Sequence, residues 1–120
     1  MSRPQRQFEA DVRGGAALAI IDLHGEMDGF AEDGLNAAYA EAVSDQPAAV
    51  LLNFSDVDYI NSTGIALIVG LLAQARKNHR RLLTCGLSEH YQEIFRITRL
   101  ADFMSMYPDE SAAISEVQAA

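Results

Sequence analysis

Ser62 and its neighbours form the stretch with the clearest chemical potential. The segment Val57-Asp58-Tyr59-Ile60-Asn61-Ser62-Thr63-Gly64 leads into an apolar run, Ile65 to Leu72. An amide, two hydroxyls and a glycine thus stand where a strand-like segment turns into a helix. A hydroxyl in the first turn of a helix has unpaired backbone N–H groups and a partial positive charge beside it. That setting favours an anionic group, such as a phosphate, on the hydroxyl. The same residue types are also the best helix N-caps, so Asn61 or Ser62 can serve simply to cap the helix.

Other chemistries find less support. Neither Gly-x-x-x-x-Gly-Lys-Ser/Thr nor Gly-x-Gly-x-x-Gly occurs, so no segment cradles a nucleotide. Ile60-Asn61-Ser62-Thr63-Gly64 lacks the first glycine of a nucleophile elbow. His79 falls at the far end of the helix that Ser62 opens, roughly 25 Å away at 1.5 Å per residue. His24 and His90 could reach the serine only through the fold. Three scattered histidines and the single Cys85 make no metal cluster and no internal disulfide. Asp22, Glu26 and Asp28 alternate and would share one face of a strand, where they could hold a hard cation. The intervening Gly25 points to a loop instead. No metal and no cofactor is therefore expected. What remains is a hydroxyl that is a substrate for another enzyme rather than a catalyst.

Composition narrows the partners. The chain has 120 residues and a formal net charge of -8, with no basic run beyond Arg80-Arg81 and nearby Lys77. Nucleic acid and anionic membrane surfaces are disfavoured for lack of a basic footprint, and a basic protein surface suits it better. No signal sequence is visible in the polar start, and the longest apolar run, Ile65 to Ala73, is about half the ~20 residues a spanning helix needs. A cytoplasmic protein is expected.

The elements that must position the hydroxyl can be read from periodicity. Phe8, Ala10 and Val12 alternate with charged residues as in a half-exposed strand. Gly14-Gly15 signals a turn, and Ala16 to Leu23 reads as a second, mostly buried strand antiparallel to the first. His24 to Gly29 reads as a loop. Leu35, Ala38, Tyr39, Ala42 and Val43 share a helical face over Glu32 to Val43. Ala48 to Phe54 is a continuous apolar strand. In the helix after Asn61, Ile65, Ile68, Val69, Leu72 and Ala75 form one stripe, with Leu67 and Leu71 as a second flank. That arc is wide: either the helix is buried on two sides, or part of it meets a partner. Arg76 to Arg81 reads as the cationic end of this helix. Leu82 to Cys85 reads as a short strand, Ser88 as a cap for a helix through Phe95, Thr98 to Asp102 as a polar elbow, Met104 to Tyr107 as a weak strand, and Asp109 to Gln118 as a final helix. The order β-β-α-β-α-β-α-β-α predicts one α/β domain, a mixed sheet of four to five strands with about four helices and right-handed crossovers.

Three segments in this order resemble the STAS domains, in particular bacterial anti-sigma factor antagonists: Gly25-Glu26-Met27-Asp28, Val57 to Gly64, and Glu93-Ile94-Phe95-Arg96-Ile97-Thr98-Arg99-Leu100. The resemblance spans residues 8–117, with residues 1–7 as a polar lead. It implies a non-enzymatic phospho-switch that binds an anti-sigma factor serine kinase, is released when that kinase phosphorylates it, and is reset by a serine phosphatase. The family's modified serine corresponds to Ser62. Thr63 takes the next position, and Gly64 matches the motif's glycine. Asp28 matches the acidic end of the family's loop and is expected near Ser62, with Asn61, Thr63 and Gly64 completing a partner-binding group. The family usually has aspartate before the serine, and this chain has Asn61. Two other readings stand beside the switch: an unphosphorylated STAS scaffold in a lipid-transport ATPase or signalling assembly, and an enzyme with Ser62 as nucleophile.

Overall fold

A computed structural model describes residues 6–119. Most of the polar lead, residues 1–5, lies outside the described residues, as does residue 120. The strands are β1 (Glu9–Gly14), β2 (Leu18–Met27), β3 (Ala49–Ile60), β4 (Arg81–Cys85) and β5 (Ser105–Tyr107). The helices are α1 (Glu32–Ala42), α2 (Ser62–Lys77), α3 (Glu89–Ile97) and α4 (Glu110–Ala119), so the chain follows the predicted order.

The five strands lie side by side in chain order, β1 antiparallel to β2 and every later pair parallel. Each parallel step is made through one helix. The apolar face of the sheet under α1, α2 and α3 holds the larger core, including Ile21, Leu23, Val50, Leu52, Ile68, Leu71 and Phe95. The opposite face carries a smaller core of Ile20, Leu51, Leu83, Cys85 and Ala113, the last contributed by α4. β3 is buried on both faces, which is why Ala49 to Leu52 reads as an unbroken apolar run.

Several boundaries differ from the sequence reading, each for a local reason. β2 does not stop at Leu23: His24 to Met27 continue it, and β3 runs on to Ile60 beside them. Two irregularities in register, between Asp22 and His24 and between Gly25 and Glu26, accommodate extra β3 residues. Gly25 has φ 84°, and a side chain there would strike the Gln7 carbonyl, while the Glu26 amide donates to the Arg6 carbonyl at 3.0 Å. The glycine thus marks a close approach of two backbones inside a strand rather than a loop. Arg6 and Gln7, read as part of a polar lead, lie against the sheet.

α2 ends at Lys77, not Arg81. His79 takes a left-handed conformation (φ 56°), Arg80 donates through Nε to the Pro47 carbonyl at 2.8 Å, and Arg81 opens β4. The elbow after α3 is a short 3₁₀ turn, Leu100–Asp102, pinned by the buried Leu100. The apolar arc of α2 resolves into a buried stripe of Gly64, Ile68, Leu71, Leu72 and Ala75, leaving Val69 45% exposed. Leu71, assigned to a second flank, is in the core, and Val69, assigned to the stripe, is not.

Candidate functional site

β3 delivers the chain to the start of α2, and three contacts fix the join. The Ile60 amide donates to the Tyr91 hydroxyl on α3 at 2.9 Å. The Asn61 amide donates to the Met27 carbonyl at the end of β2 at 3.1 Å. The Gly64 amide donates to Asn61 Oδ1 at 2.9 Å. Asn61 is therefore the N-cap, in extended conformation (φ -92°, ψ -177°), and it leaves Ser62 as the first helical residue.

Ser62 and Thr63 are both exposed. With the cap supplied by Asn61, no hydrogen bond among the described residues engages the Ser62 hydroxyl. The Ser62 and Thr63 amides belong to the first turn and have no intrahelical acceptor. The hydroxyl thus stands at the positive end of a helix whose first turn contains no acidic residue. No hydrogen bond among the described residues joins a histidine to it. His24 is held between Asp56 and Asp11, and His90 packs edge-on to Tyr91 at 4.9 Å between ring centroids. Among the described residues no histidine is therefore positioned by a hydrogen bond to activate the serine as a nucleophile.

Gly64 was expected in the partner-binding group. The residue is buried, and a Cβ on it would collide with the Met27 carbonyl oxygen and stand 2.9 Å from Ile60 Cγ2. It is glycine so that α2 can start against the end of β2.

Asp28 follows directly on that β2 end. Its carboxylate accepts the Phe30 amide at 2.9 Å and caps a short 3₁₀ turn, Gly29–Ala31. A Cβ on Gly29 would lie 3.6 Å from the Thr63 methyl, so this turn sits beside the first turn of α2. Asp28 therefore lies at the end of the molecule where α2 begins. The cation candidates Asp22, Glu26 and Asp28 do not converge. Asp22 is taken by Arg13 (2.6 Å) and Asn53 (2.9 Å), and no cation-binding cluster of His, Cys, Asp or Glu occurs among the described residues.

The sequence reading missed three features. Phe30 is 94% exposed, next to Asp28. A large aromatic within a short turn was the available signal. The Tyr91 hydroxyl tethers the strand that carries the site. Arg6 lines an open cleft of about 320 Å³ with Asp28 and Phe30 and bonds Asp58 (2.7 Å) and Asp56 (3.0 Å). Those hydrogen bonds raise the Arg6 pKa further above its ordinary value, and Arg6 followed by His24 holds the Asp56 carboxyl down at about 2. The Asp56 hydrogen bond raises the His24 pKa.

Fold and site together define a small α/β module with a presented hydroxyl. The STAS domain matches residues 7–113, and the chain belongs to that family. Within it, the chain is similar to several anti-sigma factor antagonists. The anti-sigma-B factor antagonist of Staphylococcus aureus is 30% identical over 84 residues, covering 70% of this chain and 78% of that protein. The crystal structure of an anti-sigma factor antagonist from Mycobacterium paratuberculosis has a TM-score of 0.81 at 19% identity, over 98% of this chain and 99% of that one. The structure of the anti-sigma factor antagonist SpoIIAA in its unphosphorylated form has a TM-score of 0.75 at 21% identity, over 95% and 98%. Anti-sigma factor antagonists are non-enzymatic regulators. No helix among the described residues is long and apolar enough to cross a membrane.

Proposed function

We propose that this chain is a reversible phospho-switch of the bacterial cytoplasm. Unmodified, it binds an anti-sigma factor serine kinase and so releases a sigma factor. The kinase transfers the γ-phosphoryl group of ATP to Ser62 Oγ, and the antagonist lets go. A serine phosphatase hydrolyses the phosphate and resets the switch. The observation that carries this reading is the exposed Ser62 hydroxyl at the first position of α2, with the cap supplied by its neighbour. Asp28, Thr63 and the exposed Phe30 form the partner-binding face with it in this proposal, positioned by Asn61 and Gly64.

The physical cost of modification falls on the complex rather than on the fold. Phosphorylation adds about 1.5–2 negative charges at neutral pH. In a closed interface those charges face desolvation and any acidic neighbours. In the free protein the start of α2 stabilises them by roughly 0.3–1 kcal/mol. Incubation with the kinase and ATP should add one phosphate at Ser62, read by mass spectrometry. Ser62→Asp should weaken kinase binding at least tenfold, about 1.4 kcal/mol. An unchanged mass would overturn the reading.

Asn61 favours a second reading, a fixed STAS scaffold in a lipid-transport ATPase or signalling assembly. Where the family usually has aspartate, Asn61 caps α2 without a charge beside the acceptor. Under this reading Ser62→Ala and Ser62→Asp bind the partner alike. Asn61→Asp distinguishes the cause: if it gains phosphate where the parent gains none, the asparagine is what disables the switch.

A further inference from the structure

The C-terminal half of α2 carries a surface that the Ser62 face does not use. Val69, Leu72, Ala73, Arg76 and Phe103 line an open groove of about 360 Å³. Val69 is 45% and Phe103 53% exposed, and the Arg76 guanidinium stacks on Phe103 at 4.6 Å from its ring centroid. Ahead of Arg76, the exposed positions Ala66, Val69, Gly70 and Ala73 carry no charge. A solvated helix face ordinarily does. Gly70 stands mid-helix, where glycine costs about 1 kcal/mol relative to alanine. Beyond its chain neighbours and its own helix backbone, no atom lies within 4 Å of where its Cβ would be, so no packing contact requires it.

Charge indicates what the groove receives. From Asn61 to Ser88 the chain contains no Asp or Glu but four cations, Arg76, Lys77, Arg80 and Arg81, within a total of -8. Among the described residues neither Arg76 nor Lys77 has a carboxylate in ion-pair range, and Asp102, beside Phe103, is held by Arg99 at 2.8 Å. The groove therefore ends in two cations that, among the described residues, have no carboxylate partner. Of the chain's own acidic helices, α1 buries its large apolar side chains Leu35 and Tyr39, and α4 packs Ala113, Ile114 and Val117 on the smaller core, so a second copy offers no matching helix from either.

We propose that this groove is the docking site for an acidic amphipathic helix of a second protein. Its apolar side chains lie on Val69, Leu72 and Phe103, its carboxylates meet Arg76 and Lys77, and Gly70 admits its backbone closely. Ala73 is about 16 Å along α2 from Ser62 at 1.5 Å per residue, beyond the screening length of about 8 Å at physiological salt. Docking is therefore independent of phosphate at Ser62 and does not rest on the switch reading.

The test is an NMR titration of the isotope-labelled full chain. The probes are a four-turn helical peptide with one Leu face and one Glu face, and its twin with Lys for every Glu. The acidic peptide should shift the amides of Val69 to Lys77 and Phe103, and bind at least roughly tenfold tighter than the twin. Ser62→Asp should bind equally well. Ala73→Glu and Lys77→Glu should abolish the response while leaving amides remote from the groove unmoved. No binding, equal binding of the twin, or shifts centred elsewhere would overturn the proposal. So would broadening of the same amides with protein concentration alone, which would assign the groove to a second copy.

Discussion

Asn61 caps α2 with a neutral oxygen and so leaves the serine beside it unengaged. Asn61→Ala should lower the unfolding free energy by about 1 kcal/mol, measured by urea denaturation, because the Gly64 amide loses its acceptor. Asn61→Asp should hold stability, since a carboxylate caps as well. Gly64→Ala should cost more, about 1–3 kcal/mol, because the added methyl meets the Met27 backbone rather than a side chain that can swing away. The residue types around Ser62 made the helix start readable from sequence, since capping is local chemistry within three residues. The purpose of Gly64 was not readable, because the atom it avoids is thirty-seven positions earlier (64 − 27).

The helices were legible to within a few residues because their apolar periods are set by one sheet face. The lengths of β2 and β3 were not. Glycine and charge between His24 and Gly29, and again from Ser55 to Asp58, carry the local signature of loops. The structure keeps both segments in the sheet because their charges answer one another: Arg6 bonds Asp56 and Asp58, and His24 bonds Asp56. Such pairings join residues 32 to 52 positions apart and leave no periodic trace. Tyr91 acts at this same scale by linking α3 to the last residue of β3. Tyr91→Phe should leave the Ile60 amide without its acceptor and cost about 1–3 kcal/mol. Hydrogen exchange should then speed up at Ile60 and Asn61 ahead of the rest of β3. An unchanged exchange rate there would show that the hydroxyl holds nothing in place.

For the molecule as a whole, the charged lattice on β1, β2 and β3 makes stability depend on pH in a defined window. The folded pKa of His24 is raised, so its contribution is full below the unfolded value of about 6.5 and is lost as pH rises through the folded value. Asp56 is lowered to about 2, so its contribution is full above the unfolded value near 3.8 and is lost as pH falls through about 2. The two overlap from about pH 4 to 6.5. Thermal unfolding should show a plateau there and a decline above it, and His24→Gln should remove the decline. The two rims of the sheet have a further consequence. β5, at one rim, spans only Ser105–Tyr107, and β1, at the other, turns Glu9, Asp11 and Arg13 outward. Neither offers a long bare ladder of backbone groups for a neighbour to extend, so crowding should not drive these molecules into fibrils through their edges.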